Sequence, residues 1–371
     1  MTKFVHTSDW QIGMKGGGLG DAAALVGKER VRTIDRVLAV AEEQGADFVV
    51  ACGDLFEHNQ VSQELVEDVA RAIAGRRKVQ VHAIPGNHDL PGAGSVWNRS
   101  ALRSVPNLRV HLDNTPFVFK DVTLHPFPVR SRYEASDPLA TLPDLRGKPG
   151  VHVALAHGHL TSITFGAHEE NIRLPLDPVH VDRAGLDFLA LGHWHGSRTF
   201  AARDGATRIA YAGTHEQTSF RETDAGNVLV VEIAGKGVPP VVTPVRVGTL
   251  VWARIPFVFA ADVDLARLRA ALDGCTAHLL GLELSGEAPV SLYGEFRDLV
   301  AASEARFKHL QVGDGEVRWR AAEAAQTEPI ADASLAEVDR RIVAAIAAGA
   351  DPQVAREARA LFQRLVREAT P

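Results

Sequence analysis

Nine residues in five short stretches have the types and spacing to bind metal and activate water: Asp9 and Gln11 in "TSDWQ", Asp54 in "GD", Asn87 and His88 in "GNHD", His157 and His159 in "HGH", and His193 and His195 in "GHWH". The donors are carboxylate, amide and imidazole with no thiolate, a set that suits Mn, Fe or Zn better than a closed structural zinc site. Their number implies two ions. Asp54 is the most economical bridge between ions about 3.5–4 Å apart, a spacing that clamps the attacking and leaving oxygens of a phosphoryl displacement. Water held between such ions becomes a nucleophile at neutral pH. His88, beside the ligand Asn87, is then free to stabilise developing charge or to protonate the leaving oxygen. Taken alone, "GNHD" reads equally well as a turn, since Gly, Asn and Asp are turn residues and Pro85 presets one angle.

What favours chemistry is the position of each stretch in the chain. Each follows a short apolar run, "KFVH", "ADFVVAC", "VQVHAIP", "VHVALAH" and "LDFLALGH" in turn. In open α/β sheets the crevice beyond the carboxyl ends of the strands collects residues far apart in sequence, so five consecutive strand ends can converge. His82, His111, His125 and His152 fall within strand-like runs and read as ordinary polar residues.

The five runs alternate with segments of helical spacing, Arg32 to Gln44 and Gln63 to Arg76, which is an α/β pattern. Further strands, "LRVHL", "PFVF", "VTLHPF", "TRIAYAG" and "NVLVVEI", lie close together and predict a mixed sheet or two packed sheets. "AGKGVPPVVTPV" marks an exit near residues 235–250 from a main domain at 1–240. A small α+β unit follows at 250–322, then a helical pair at 332–369. In "SLAE", Ser334 and Glu337 form a capping box, with Leu335, Val338, Ile342 and Ile346 on one face and Gly349 as the stop; Asp351 and Pro352 start a second helix with Val354, Ala358, Leu361 and Leu365 on its face. "MKGGGLGD" followed by "GKER" lacks phosphate-loop spacing and reads as a flexible loop.

The chain has 371 residues, 46% of them apolar, enough for one large core and a smaller one. Its start lacks the pattern of a signal peptide and no run of about 18 apolar residues occurs, so the expectation is a cytoplasmic protein without a membrane span. Two cysteines, Cys52 and Cys275, are too few for a disulfide framework. With 40 Lys and Arg against 46 Asp and Glu, the net charge of −6 offers no general cationic surface to a phosphate backbone. Local cations are "GRRK" at 75–78, Arg99 with Arg103 and Arg109, and Arg130 with Arg132.

The motif order resembles the calcineurin-like metallophosphoesterases, whose pattern is D-x-H, G-D, G-N-H-D/E, H-x and G-H-x-H. The resemblance covers residues 3 to about 235. It implies a β-sandwich flanked by helices and two metals: Asp9 and His195 on the first, Asn87, His157 and His193 on the second, Asp54 bridging and His88 acting on substrate. "HTSDWQIG", "GDLFEHNQVS" and "LALGHWH" are similar to the SbcD-type nuclease branch. That branch implies Mn2+-dependent processing of DNA ends in repair, a homodimer, a capping domain at 250–322, and a coiled-coil, SbcC-like ATPase bound by the helices at 332–369.

Two positions depart from the pattern. Gln11 stands where the family has His, and its amide oxygen is a weaker ligand that favours Mn2+ over Zn2+. After "GDLF" the sequence places Glu57 before His58, which leaves His58 a site neighbour without an assigned role. "HGH" offers both His157 and His159, of which His157 comes directly off the strand run. Two other functions fit the same residues: hydrolysis of nucleotides or small phosphodiesters, and a non-catalytic scaffold on this fold.

Overall fold

The computed structural model describes residues 1–162, 174–260, 265–320, 332–347 and, beyond these, 358, 359, 361, 362, 365 and 366. The chain divides into two compact units, Met1–Leu250 and Val251 onward.

The first unit begins β1 (Thr2–Thr7), α1 (Ala22–Glu43), β2 (Phe48–Cys52), α2 (Gln63–Gly75), β3 (Val81–Ile84), α3 (Ser100–Arg103) and β4 (Leu108–Val110). It continues through β5 (Phe117–Phe119), β6 (Val122–Phe127), β7 (Val151–His157), the short strands β8 (His159–Leu160) and β9 (Pro175–Leu176), and α4 (Val179–Ala184). It closes with β10 (Phe188–Gly192), β11 (Arg198–Ala201), β12 (Thr207–Tyr211), β13 (Asn227–Ile233) and β14 (Val241–Arg246).

Two six-stranded sheets result, in the orders β14-β13-β1-β2-β3-β4 and β11-β12-β10-β7-β6-β5. Strands β1 to β4 run parallel, as do β6, β7, β10 and β12, while β5, β11, β13 and β14 add antiparallel edges. Alternation along the strands divides the core. Phe4, Phe48, Val50 and Ile84 from the first sheet meet Leu124, Val153, Leu155 and Phe188 from the second. Their neighbours Val5, Val49 and Ala51 face α1 and α2 instead, against Ile34, Leu38, Val66 and Val69. Ala154, Ala156, Leu189 and Leu191 pack outward on Leu139, Leu142 and Val181. Strands buried on both faces need apolar residues at successive positions, which is why these runs are apolar in the sequence except at a few buried histidines. The mixed α/β fold, with sheets flanked by helices, is the one the sequence predicts.

Several local readings change. Helix α1 starts ten residues before Arg32 and takes in "GKER", because Ala22, Val26 and Arg30 already face the interior. The stretch taken as an exit carries β14, which pairs with β13 from Asn227↔Arg246 to Glu232↔Val241. The strand histidines form two buried pairs, His82 with His111 and His125 with His152, each bridged at 3.1 Å.

In the second unit, β15 (Trp252–Phe259), β16 (Leu279–Pro289) and β17 (His309–Arg320) are all parallel, joined through α5 (Leu265–Gly274) and α6 (Tyr293–Glu304). The region read as α+β is therefore, in detail, a βαβαβ arrangement. Its core is Phe257, Phe259, Leu268, Leu272, Leu280, Leu282, Phe296 and Leu299. Helix α7 (Ala333–Ala347) is capped by Asp332, whose Oδ1 accepts from the Ser334 and Leu335 amides at 2.9 Å, so the cap lies two residues before the expected Ser334. Gly349, Asp351, Pro352 and Val354 of the expected second helix lie outside the described residues, as does the side chain of Ile346; Ala358, Leu361 and Leu365 are helical and exposed. Among the described residues no helix is long and apolar enough to cross a membrane.

Candidate metal centre

The turns after β1, β2, β3, β7 and β10 meet at one rim of the first unit. The backbone there is held in uncommon conformations: φ is +51° at Asp9, +48° at Gln11, +52° at Asp54 and +105° at His193. Such angles cost about 1–3 kcal/mol each outside glycine and persist only where the surroundings impose them. Here the ties are explicit. The Asp9 amide donates to the Gly53 carbonyl and the Gln11 amide to the Asp54 carbonyl, both at 3.0 Å, which locks the first two turns together.

Asp9, Asp54 and His157 are buried, and one donor atom from each lies within 4.8 Å of the others. Asp54 Oδ2 is 3.3 Å from His157 Nε2, and Asp54 Oδ1 accepts from the His88 amide at 2.8 Å. Asn87 Oδ1 is the common partner of His157 Nε2 at 3.0 Å and His193 Nδ1 at 3.1 Å. Both Asp9 oxygens accept from the His193 amide at 3.1 Å. His195 Nε2 faces Gln11 Nε2 at 3.4 Å, and that amide nitrogen also lies 3.4 Å from Asp54 Oδ2. The donors thus form two groups that share Asp54, one of Gln11 and His195 and one of Asn87, His157 and His193, with Asp9 within 4.8 Å of Asp54 and His157.

Imidazole orientation is fixed from behind. His157 Nδ1 donates to the Cys52 carbonyl at 2.9 Å, and His195 Nδ1 to Glu222 Oε1 at 2.7 Å, leaving each Nε2 turned toward the carboxylates. A second ring nitrogen held by carbonyl or carboxylate is the usual support of a metal-binding histidine. Gln11 Oε1 is buried without a hydrogen-bond partner. The two ends of an amide have the same shape, so a half-turn of the group presents this oxygen to Asp54 and His195. An unsatisfied buried oxygen that can be turned toward a carboxylate and an imidazole nitrogen is a donor set that fits a divalent cation.

Charge in the cluster is uneven. Burial raises the Asp9 carboxyl above its ordinary range, only partly opposed by His157 and His195. Burial acts the same way on Asp54, but the charge and hydrogen bond of His157, with His88, outweigh it and hold Asp54 low. Burial disfavours a charged His157, yet Asp54 and Asp9 push it up to about 9. A proton on His157 Nε2 is thus stabilised where the carboxylates concentrate negative charge, the same position in which a cation would be held.

Two glycines permit this closeness. A Cβ on Gly86 would collide with Asp54 Oδ1, and one on Gly192 with the Cys52 carbonyl oxygen. Asp89, fully buried, ties the same turn down: Oδ1 accepts from the Gly86 amide at 2.7 Å, and Oδ2 from Leu55 at 2.9 Å and Phe56 at 3.2 Å.

The two residues marked as neighbours are tied to their own turn and strand. His58 Nδ1 accepts from the Gln60 amide within its own turn, and it is the Glu57 carbonyl that receives His88 Nδ1 at 2.9 Å. His159 lies on β8, its amide bonded to Leu174, and its charge is felt by His193. Sequence reasoning missed Glu222, Arg30 and the clamping role of Asp89. Arg30 is buried, with Nη1 on the Glu216 carbonyl at 2.9 Å and Nη2 on the Trp10 carbonyl, so it supports the Asp9 turn from below. Asp89 stood inside "GNHD", whereas Glu222 follows His195 by 27 residues with no local signal.

The matched solved structures include a protein of Thermus thermophilus (12% identity, 66% of this chain and 99% of that one, TM-score 0.41) and a dimetal phosphatase from Danio rerio (12%, 65% and 98%, 0.41). A purple acid phosphatase from yellow lupin seeds also matches (11% identity, 66% of this chain and 51% of that one, TM-score 0.38). No curated protein matches the sequence. The calcineurin-like phosphoesterase family matches residues 2–197, just over half the chain and the whole span from Asp9 to His195. The chain therefore belongs to the calcineurin-like phosphoesterase family, whose members hydrolyse phosphoesters with two divalent metals.

Proposed function

We propose that the chain is a Mn2+-dependent phosphodiesterase acting on DNA, a nuclease subunit that works with a coiled-coil ATPase. The observation that carries the phosphodiester reading is the pair of donor groups sharing Asp54, with His88 set beside them by its own amide on Asp54 Oδ1. Bound divalent cations supply Lewis acidity and lower the pKa of a water. The protein's part is placement. Asp9, Gln11, Asp54 and His195 would hold one cation, and Asp54, Asn87, His157 and His193 the other. His88 donates from Nδ1 to the Glu57 carbonyl, so Nε2, when the ring carries a second proton, would stabilise negative charge on the phosphoryl group or protonate the leaving oxygen.

A polymeric substrate is supported by the exposure of the rim. His193 is exposed and Trp194 is 38% exposed, so the rim beside the buried carboxylates is open to solvent at these two residues. The motifs "HTSDWQIG", "GDLFEHNQVS" and "LALGHWH" support the end-processing branch, with residues 250–322 as a cap, 332–369 as the ATPase-binding helices and a homodimer as the working form. A net charge of −6 requires cationic surface from local arginines or from the partner.

The test is Mn2+-dependent cleavage of end-labelled double- and single-stranded DNA beside bis-p-nitrophenyl phosphate, with wild type and His88→Ala. DNA cleavage by wild type, lost in the variant, supports the nuclease. Hydrolysis of the small diester alone, even with the ATPase added, transfers the assignment to small phosphodiesters.

A further inference from the structure

The donor groups are rich in negative charge, with Asp9 and Asp54 among the ligands and Asp89, Glu57 and Glu222 behind them. Among the described residues, Arg30 and Arg132 bond to the turns that carry this set. Arg30 is buried, and its terminal nitrogens are committed to the Glu216, Trp10 and Asp9 carbonyls. Arg132 differs. It is exposed, and its Nε donates to the main-chain carbonyl of Asn87 at 2.9 Å.

That contact is not an isolated surface event. The chain leaving β6 runs beside the "PGNHD" turn, with the Val129 amide on the Pro85 carbonyl at 3.1 Å and Val129 itself buried. Three residues further on, Arg132 reaches the next turn carbonyl but one. The guanidinium is anchored through Nε, and among the described residues no hydrogen bond engages its two terminal nitrogens; the anchor is the residue whose Oδ1 is shared by His157 and His193.

We propose that Arg132 is a substrate-binding residue, taking a non-bridging oxygen of the phosphoryl group next to the Asn87 side of the metal centre. The inference rests on the phosphodiesterase reading. It assigns to this chain's own surface a cation that its net charge does not otherwise offer, and a planar fork held at one nitrogen suits a tetrahedral oxyanion.

The test uses the full chain loaded with Mn2+, as wild type, Arg132→Ala and Arg132→Lys. Calorimetry measures Mn2+ stoichiometry and then the affinity for inorganic phosphate; steady-state kinetics follow on bis-p-nitrophenyl phosphate. The expected result is unchanged Mn2+ stoichiometry, phosphate binding about tenfold weaker in Arg132→Ala with partial recovery in Arg132→Lys, and a KM effect larger than the kcat effect. Equal phosphate affinity in wild type and Arg132→Ala overturns the inference. Loss of Mn2+ from Arg132→Ala overturns it too, because the arginine would then only brace the Asn87 turn. Phosphate binding that depends on Arg132 in a protein hydrolysing no diester leaves the inference standing and removes the phosphodiesterase reading.

Discussion

His195 donates from Nδ1 to Glu222 Oε1 at 2.7 Å, and Glu222 in turn accepts from the Thr218 amide at 2.7 Å and from the Thr218 hydroxyl. The carboxylate fixes both the ring plane and the tautomer of His195 from a position 27 residues downstream. Glu222→Ala should therefore weaken Mn2+ binding at the Asp9 side by about 10–100-fold. Titration of the variant with Mn2+ should show one weakened and one near-normal site; two unaltered sites would remove Glu222 from the centre.

Asp54 Oδ2 faces both donor groups, 3.4 Å from Gln11 Nε2 and 3.3 Å from His157 Nε2. Asp54→Ala is expected to lose both cations together, whereas Asp9→Ala should retain one. Elemental analysis of Mn2+ per chain after dialysis separates the two, and an Asp54→Ala protein that keeps two ions would rule out the bridge.

His88 donates its amide to Asp54 at 2.8 Å and its ring Nδ1 to the Glu57 carbonyl, and in the proposed function the ring's other nitrogen serves the substrate. His88→Ala should keep the cations and lower kcat by about 10²–10⁴-fold, the span of a positioned acid or base. Full activity, or loss of metal, would contradict that role.

Gly192 closes β10 against the Cys52 carbonyl, with His157 Nδ1 and Ser8 Cβ each 2.9 Å from where a Cβ would sit. Gly192→Ala should cost about 2–3 kcal/mol, because the nearest clash is with backbone that cannot rotate away. A urea midpoint equal to that of wild type would show that the two turns have more room than their contacts indicate.

Burial pushes His6 and His82 down to about 3 and His111 and His125 to about 4; the neighbouring imidazole adds to the effect on His82 and His125, and Arg109 to that on His111. The unfolded chain, with ordinary imidazoles near 6.5, then binds protons before the folded one does. Their contribution to stability is full above about pH 6.5 and declines as pH falls toward 4. Urea midpoints between pH 7 and 5 should drop, with a shallower slope in His82→Phe, whose ring would lie among Phe48, Phe117 and Phe119. An identical slope in the variant would place the proton uptake elsewhere.

By itself the sequence determined the strands and the turns that follow them. Each central strand is buried on both faces, so its length is largely apolar apart from buried histidines, and the carboxylates and amides able to bind metal fall in the turn beyond. That is why Asp9, Asp54, Asn87, His157 and His193 were legible as a set although about 185 positions separate the first from the last. The helix start at Ala22, the strand Val241–Arg246 and the Asp332 cap were not legible, because burial against the core or pairing with β13 decided the first two and two hydrogen bonds to one side chain the third. Only the tertiary structure could bring Glu222 behind His195, Arg30 beneath the Asp9 turn and Arg132 onto the Asn87 carbonyl. Those contacts join residues from different loops and helices, where no periodicity links the partners, and their geometry exists only once the two sheets have closed on Phe4, Phe48 and Phe188.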